Sequence, residues 1–339
     1  MQIDFVRDES GFQALAPVWN ELLVRSCTDV PFLRFEYLRT WWETLGGGEW
    51  PGGELWLAVG RTGAQSIQAI APFFSPAGED TTRLLLLGSI EISDYLDVLA
   101  PAEHVRTFTD AVLESLDREG PNGLQAIDLF NLPEESPSLQ AWQEAGQARG
   151  WQVQREKLQP CPVIRLDGDW ETYLTRLDKK QRHELRRKMR RAQEHDPAIT
   201  LRIVDSDADP ESAMETFLGL MAADPTKQAF LTPRMREQFR RLAAPPHRTP
   251  GLQFAFLDVG GQAAAGYLNF DYRNRLWAYN SCLNPAFASL SPGWVLVGRL
   301  IQWAIERGRS EFDFLRGGED YKFRLGGEER SIYRLTLSR

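Results

Sequence analysis

The sequence predicts an α/β (α+β) protein of two domains, each a mixed central sheet flanked by helices. Three observations lead there. The chain has 339 residues, 42% apolar and 25% charged, which is an ordinary globular balance over more length than one hydrophobic core usually serves. Strand-like and helix-like hydrophobic periods alternate along it. The order of those periods in the first half also recurs in the second, over far more than the roughly 20–50 residues of a solenoid repeat.

In the first half the periods give a strand at Ile3 to Arg7 and helical spacing from Phe12 to Val24 and from Tyr37 to Leu45. Strands follow at Glu54 to Gly60 and Ser66 to Phe74, separated by the turn-like Arg61-Thr62-Gly63-Ala64, and at Arg83 to Leu87. A helix at Val105 to Leu116, a strand at Leu124 to Phe130, a helix at Ser138 to Ala148 and a strand at Trp151 to Lys157 complete the half. The second half offers helices at Pro210 to Met221 and Pro233 to Leu242, then a hairpin through Gly260-Gly261 joining Gln253–Val259 to Ala264–Tyr272. Phe32-Leu33 matches Phe230-Leu231, and Ala126-Ile127-Asp128-Leu129-Phe130 matches Glu311-Phe312-Asp313-Phe314-Leu315. The expected domains are 1–160 and 161–339, with the boundary near 158–168 around Gln159-Pro160-Cys161-Pro162.

Cys27, Cys161 and Cys282 show neither pairing nor metal-ligand spacing, and the four histidines are scattered, so no metal site is expected. The N-terminus lacks the basic opening and apolar core of a secretory signal, and the longest apolar run, Leu84 to Leu87, is far below the roughly 20 residues of a membrane helix. A soluble, cytoplasmic protein is the expectation. The net charge of −8 weighs against whole-surface binding of DNA.

One junction has strong helix-start chemistry. After the strand Leu276 to Leu283 and a loop come Ser291, a good N-cap, Pro292, suited to the first helical position, and Gly293, where the missing side chain would let backbone N–H groups approach a diphosphate. The helix dipole adds about 0.3–1 kcal/mol of preference for an anion. The plainer reading is that Ser-Pro-Gly starts a buried helix. The matching helix in the first half opens Ala100-Pro101-Ala102-Glu103, with an acid and no glycine, so a nucleotide-like ligand belongs to the second half.

Strand, hairpin, strand, glycine-bearing helix start and strand together resemble the GNAT acyltransferase fold. More narrowly, Gly266-Tyr267-Leu268, Leu290-Ser291-Pro292-Gly293-Trp294-Val295-Leu296, Phe312-Asp313-Phe314-Leu315-Arg316-Gly317 and Tyr321-Lys322 resemble the acetyltransferase family associated with cellulose and exopolysaccharide biosynthesis, over roughly 165 to 330. Ser93-Asp94-Tyr95-Leu96-Asp97 echoes that family's N-terminal half. The usual GNAT diphosphate signature, Arg/Gln-x-x-Gly-x-Gly/Ala, is not present intact. A more distant similarity is to the Fem-type aminoacyltransferases, tandem GNAT-like proteins that take their acyl group from charged tRNA. The resemblance implies acetyl-CoA or another acyl-CoA as co-substrate, with Ser291, Pro292, Gly293, Trp294 and Lys322 on the cofactor side. It also implies that Tyr321 donates a proton to the departing thiolate.

Acyl transfer to an amine needs a neutral nucleophile, and deprotonating an alkylammonium at pH 7 costs about 4–5 kcal/mol. Candidate bases are Asp313, on an otherwise apolar strand, and Glu319, in the loop beyond it. Asp313 can equally cap a turn or pair with Arg316 or Arg324. Asp94 and Asp97, framing Tyr95, are candidates for binding the acceptor, with turn formation as the plainer account. No Gly-x-Ser-x-Gly occurs, which favours direct transfer over an acyl-enzyme. Finally, Trp170 to Ala192 has helical spacing with Asp169 as N-cap and a face crowded with cations, among them Arg182 and Arg186. That stripe suits a polyanion, tRNA or an acidic glycan included, or is a solvated helix face, and tRNA is the less favoured partner because no stacking aromatic or RNA module accompanies it. The expected function is therefore acyl transfer from acyl-CoA to an amino sugar, a glycan hydroxyl or a small amine. The rivals are a tRNA-dependent aminoacyltransferase and a non-catalytic binding protein.

Overall fold

A computed structural model describes residues 1–63, 66–78, 82–205 and 208–339; Ala64, the end of the expected turn, lies outside them. The chain divides into two compact units, Met1–Gln159 with Ser331–Arg339, and Pro160–Arg330.

In the first unit β1 (Gln2–Val6) leads to α1 (Glu9–Ala14), α2 (Ala16–Arg25) and α3 (Phe35–Gly48). The single helix expected over Phe12 to Val24 is thus two, because Pro17 in the first turn of α2 supplies no N–H to continue α1. Then come β2 (Gly53–Thr62), β3 (Ser66–Pro76), β4 (Thr82–Leu86), α4 (Ala102–Glu119), β5 (Leu124–Pro133), α5 (Pro137–Ala148) and β6 (Gln152–Arg165). The pairs β1/β2, β2/β3 and β3/β4 are antiparallel and β4/β5 is parallel. Trp19, Trp41, Phe73, Phe74 and Trp142 are fully buried in this unit.

The second unit begins with α6 (Trp170–Arg176) and α7 (Lys179–Gln193), followed by β7 (Ile199–Asp205), α8 (Pro210–Ala222), α9 (Pro225–Phe230) and α10 (Pro233–Ala243). The helix expected from Trp170 to Ala192 breaks at Leu177-Asp178. Asp169 caps its first half by accepting from the Thr172 N–H, and Asp178 caps the second by accepting from Lys180 N–H, so each piece has its own start. Next are β8 (Leu252–Val259), β9 (Gln262–Tyr272), β10 (Arg275–Leu283), α11 (Pro292–Glu306), β11 (Glu311–Asp313) and α12 (Asp320–Arg324), and then β12 (Glu328–Ser338), which from Ser331 onward belongs to the first unit. Gly260 and Gly261 turn the hairpin with φ of 56° and 81°, a region glycine enters without strain.

The pairs β7/β8, β8/β9 and β9/β10 are antiparallel and β10/β11 is parallel, which is the pattern of the first unit repeated. The fold is a mixed α/β one in tandem. Each parallel strand gains an antiparallel neighbour, β12 beside β5 and β6 beside β11. β6 runs straight through the Pro160 and Pro162 expected to break the chain. Its prolines serve as acceptors, since Gly317 N–H donates to the Pro160 carbonyl and Phe314 N–H to that of Pro162, and a missing N–H is not felt on that side.

In the second unit the sheet separates two apolar layers. Ala255, Leu257, Ala265, Tyr267, Leu276 and Ala278 join α6, α7 and α11 in one core. The alternate positions face the other way, where Phe254 meets Phe217 of α8 with ring centroids 6.1 Å apart.

Candidate active site

The site arises where two strands part. β10 pairs with β9 along its length but with β11 only from Arg275 to Trp277. β11 stops at Asp313 because Leu315 turns left-handed, with φ 57°, and the Asp313 carboxylate accepts the Leu315 N–H at 2.7 Å to hold that turn. A register shift between Ala278 and Asn280 bends β10 at the same level. Beyond that bend lies a cavity of about 230 Å³ lined by Ala265, Gly266 and Tyr267 of β9, Ser281 to Leu283 of β10, Gly293, Trp294, Leu296 and Val297 of α11, and Tyr321 of α12. Most of this lining is apolar.

α11 starts at the cavity, though not as the sequence suggested. Ser291 occupies the N-cap position in the left-handed region, φ 53°, and its side chain caps nothing; its carbonyl instead accepts the Trp294 N–H at 3.1 Å and the Val295 N–H at 3.3 Å. Pro292 has no N–H. Gly293 N–H is therefore left as the donor of the first turn, with no partner among the described residues. A Cβ on Gly293 would sit 3.2 Å from Leu283 Cδ2, so the glycine lets the helix start pack closely on β10.

Tyr267 of β9 and Tyr321 of α12 are hydrogen-bonded to each other through their side chains, and burial raises the pKa of both, that of Tyr267 well above the usual phenol value. Burial also pushes the Cys282 thiol up to about 12. Glu319 is exposed and pairs with Lys322 at 2.9 Å. Lys322, only 3% exposed, donates to the Arg316 carbonyl at 2.7 Å and to that of Gly317 at 3.2 Å, so it ties down the turn after β11. Of the residues singled out in the sequence, the structure brings Gly293, Trp294 and Tyr321 onto the cavity wall, leaves Glu319 and Lys322 off that wall and paired with each other, and keeps Asp313, 1% exposed, in the backbone turn.

Two residues escaped sequence reasoning, one on the cavity wall and one bonded to it from outside. Tyr267 lay inside a motif noted only for resemblance. Lys227, on the short α9, has no neighbouring signal in sequence, yet its ammonium donates to Asn280 Oδ1 at 3.1 Å and to the Ser281 carbonyl. Burial lowers its pKa, with Cys282, Asp224 and Glu319 acting in the opposite sense.

Trp294 also borders a second hollow of about 420 Å³ formed with Lys180, Gln181, Glu184, Lys188 and Arg324. The Lys188 ammonium lies 4.7 Å from the Trp294 ring centroid. Of the two arginines named earlier on α7, Arg186 is engaged by Glu171 and Arg182 reaches the Thr175 carbonyl at 3.4 Å. In the first unit Asp94 and Asp97 are both buried. Asp97 is fully enclosed, accepting from Thr28 and Ser136 hydroxyls at 2.5 Å each and from Val98 N–H at 2.7 Å, and burial raises its pKa. Among the described residues no group of histidine, cysteine and acidic side chains could hold a metal ion, and no helix is long and apolar enough to cross a membrane.

The segment that builds this cavity is also the one known from other proteins. Residues 179–323 match the acetyltransferase (GNAT) domain. The match runs from α7 into α12, hence over every cavity-lining residue above. Solved structures resemble the whole chain. FemX superposes with a TM-score of 0.68 at 11% identity, covering 99% of this chain and 97% of that one. A conserved protein of unknown function from Bacteroides thetaiotaomicron gives 0.64 at 10% identity with both chains covered in full, and L-PGS from Bacillus licheniformis gives 0.61 at 13%, covering 98% and 92%. At such identities the likeness is one of fold. No curated protein matches the sequence.

Proposed function

We infer that the second unit transfers an acyl group from acyl-CoA directly to an amine or hydroxyl. The observation that carries this reading is the apolar cavity between β10 and the start of α11, rimmed by the unpartnered Gly293 N–H, inside a GNAT domain. An acyl-CoA supplies a thioester there, whose thiol leaves as the acyl group moves. Gly293 N–H and the positive end of the 15-residue α11 favour the diphosphate, and Ala265, Leu283, Leu296 and Val297 enclose the apolar arm. Tyr321 keeps its proton at neutral pH and gives it to the departing sulfur, while Tyr267 fixes the Tyr321 hydroxyl by the bond between them. Asp313 acts as a positioning residue, holding the turn that carries α12, and Glu319 with Lys322 supports the same turn. The exopolysaccharide-type motifs support an amino sugar or glycan as acceptor.

A second reading, an aminoacyl-tRNA donor, draws support from α7, where Lys179, Lys180, Arg190 and Arg191 have no ion pair among the described residues. The test offers each donor separately with a panel of amino sugars and small amines. Release of free CoA coupled to acetylated acceptor is expected with acetyl-CoA. Transfer from charged tRNA with none from acetyl-CoA would replace the first reading by the second, and ligand binding with no transfer from either would leave a binding protein.

A further inference from the structure

Lys227 has a place in the second unit that the donor side does not use. It reaches β10 from α9, between α8 and α10, which line the face of the sheet opposite α11. The cavity is walled by α11 on one face, and under the acyltransferase reading the donor takes that side, which leaves the side of α8, α9 and α10 to the acceptor. Lys227 stands at that approach, bonded to Ser281, itself a cavity residue.

Its partners make it unusual. The ammonium spends two of its three N–H bonds on neutral oxygens, Asn280 Oδ1 and the Ser281 carbonyl, and no carboxylate lies within ion-pair distance among the described residues. Two other lysines of the unit are paired, Lys188 with Glu184 at 3.1 Å and Lys322 with Glu319 at 2.9 Å. A half-buried cation with only neutral partners and a spare donor is a poor arrangement for stability and a good one for receiving an anion.

We propose that Lys227 binds an oxyanion, a carboxylate or a phosphate, carried by the acyl acceptor, so that the acceptor is an anionic amine or alcohol. The proposal rests on the acyltransferase reading for the word acceptor, while the anion site stands on its own geometry. Burial, which lowers the pKa of Lys227, is relieved when the anion arrives, so binding raises that pKa.

Two measurements test it. The chain has six lysines, so lysine labelled with ¹³C at the ε carbon gives a small set of signals, and Lys227→Met identifies one. Titrated with inorganic phosphate and, separately, acetate, the Lys227 signal is expected to shift saturably and its pKa to rise, and the stronger of the two anions names the group. In parallel, acetyl-CoA is offered with 3-aminopropanoate, 3-aminopropyl phosphate and propylamine. The anionic amine of the matching class should exceed propylamine by about tenfold or more in kcat/KM. Lys227→Met should collapse that ratio by raising KM for the anionic amine while the affinity for acetyl-CoA holds, and Lys227→Arg should retain much of it. A Lys227 signal indifferent to both anions, or a ratio that survives Lys227→Met, overturns the proposal. An intact anion response with no acetyl transfer to any amine would count against the acyltransferase reading and leave the anion site standing.

Discussion

At the cavity two phenols share a hydrogen bond, and their titration has a sign that can be checked. Burial raises the folded pKa of Tyr267 well above its ordinary 10.0, so the stabilisation linked to its proton is complete below about pH 10 and is lost as pH rises from there towards the folded value. Urea unfolding should show stability falling above about pH 10, and Tyr267→Phe should fall less steeply. Tyr321→Phe should slow turnover about 10²–10⁴-fold with little change in acyl-CoA affinity, because only the proton donor is removed. If turnover is unaffected, the departing thiolate takes its proton from solvent. What the sequence makes legible at this scale is residue type: Tyr321 and Gly293 stand out by their motifs. Asp97 shows the other limit, since its partners Thr28 and Ser136 lie 69 and 39 positions away, and only the fold reveals that its carboxylate is enclosed.

Among the elements, α7 and α11 differ in how far the sequence reveals them. Amphipathic spacing locates both, because Leu185, Met189 and Ala192 of α7 and Val295, Leu300 and Ile301 of α11 share one core. Spacing does not reveal the break at Leu177, since an apolar residue at the junction keeps the period while Asp178 restarts the helix. α12 escaped for a related reason, being a five-residue helix that follows a glycine pair and reads as a loop. The exposed cations of α7 lead to a test between donors. Replacing Lys180, Arg190 and Arg191 by Gln removes three unpaired charges and leaves the buried stripe intact. A tRNA bound there would lose affinity with salt at a slope magnitude of about 0.9 per neutralised phosphate, and the triple variant would lose about three such contacts. The acyl-CoA reading predicts a shallow salt dependence in both proteins, measured by filter binding.

Across the whole molecule, repetition was the strongest signal. The matched pentapeptides do mark the parallel strands of the two units, Ala126–Phe130 lying within β5 and Glu311–Asp313 forming β11, while Phe314 and Leu315 lie beyond its end. Their central acids then diverge. Asp313 holds a backbone turn, whereas Asp128, 2% exposed, is gripped by Arg334 at 2.6 Å, Arg83 at 3.1 Å and Thr336 at 2.8 Å. Arg334 comes from β12, the last strand of the chain, and a partner 206 positions away leaves no local trace in sequence. Arg334→Ala should destabilise the first unit by about 2 kcal/mol, less than the roughly 3–5 kcal/mol for a fully orphaned buried charge because Arg83 stays. Thermal unfolding followed by tryptophan fluorescence reads this directly, and no change would mean that Arg83 and Thr336 suffice.

The central claim, that the α11 end of the cavity receives acyl-CoA, is tested most directly by calorimetric titration of acetyl-CoA into the parent protein and Gly293→Glu. Any side chain at this position meets Leu283 from its first carbon, and a glutamate also sets a negative charge at the free N–H. The account predicts one saturable site per chain in the parent and loss of binding in a variant whose circular dichroism and melting temperature are unchanged. Equal binding by the two folded proteins, or none by the parent, would contradict it.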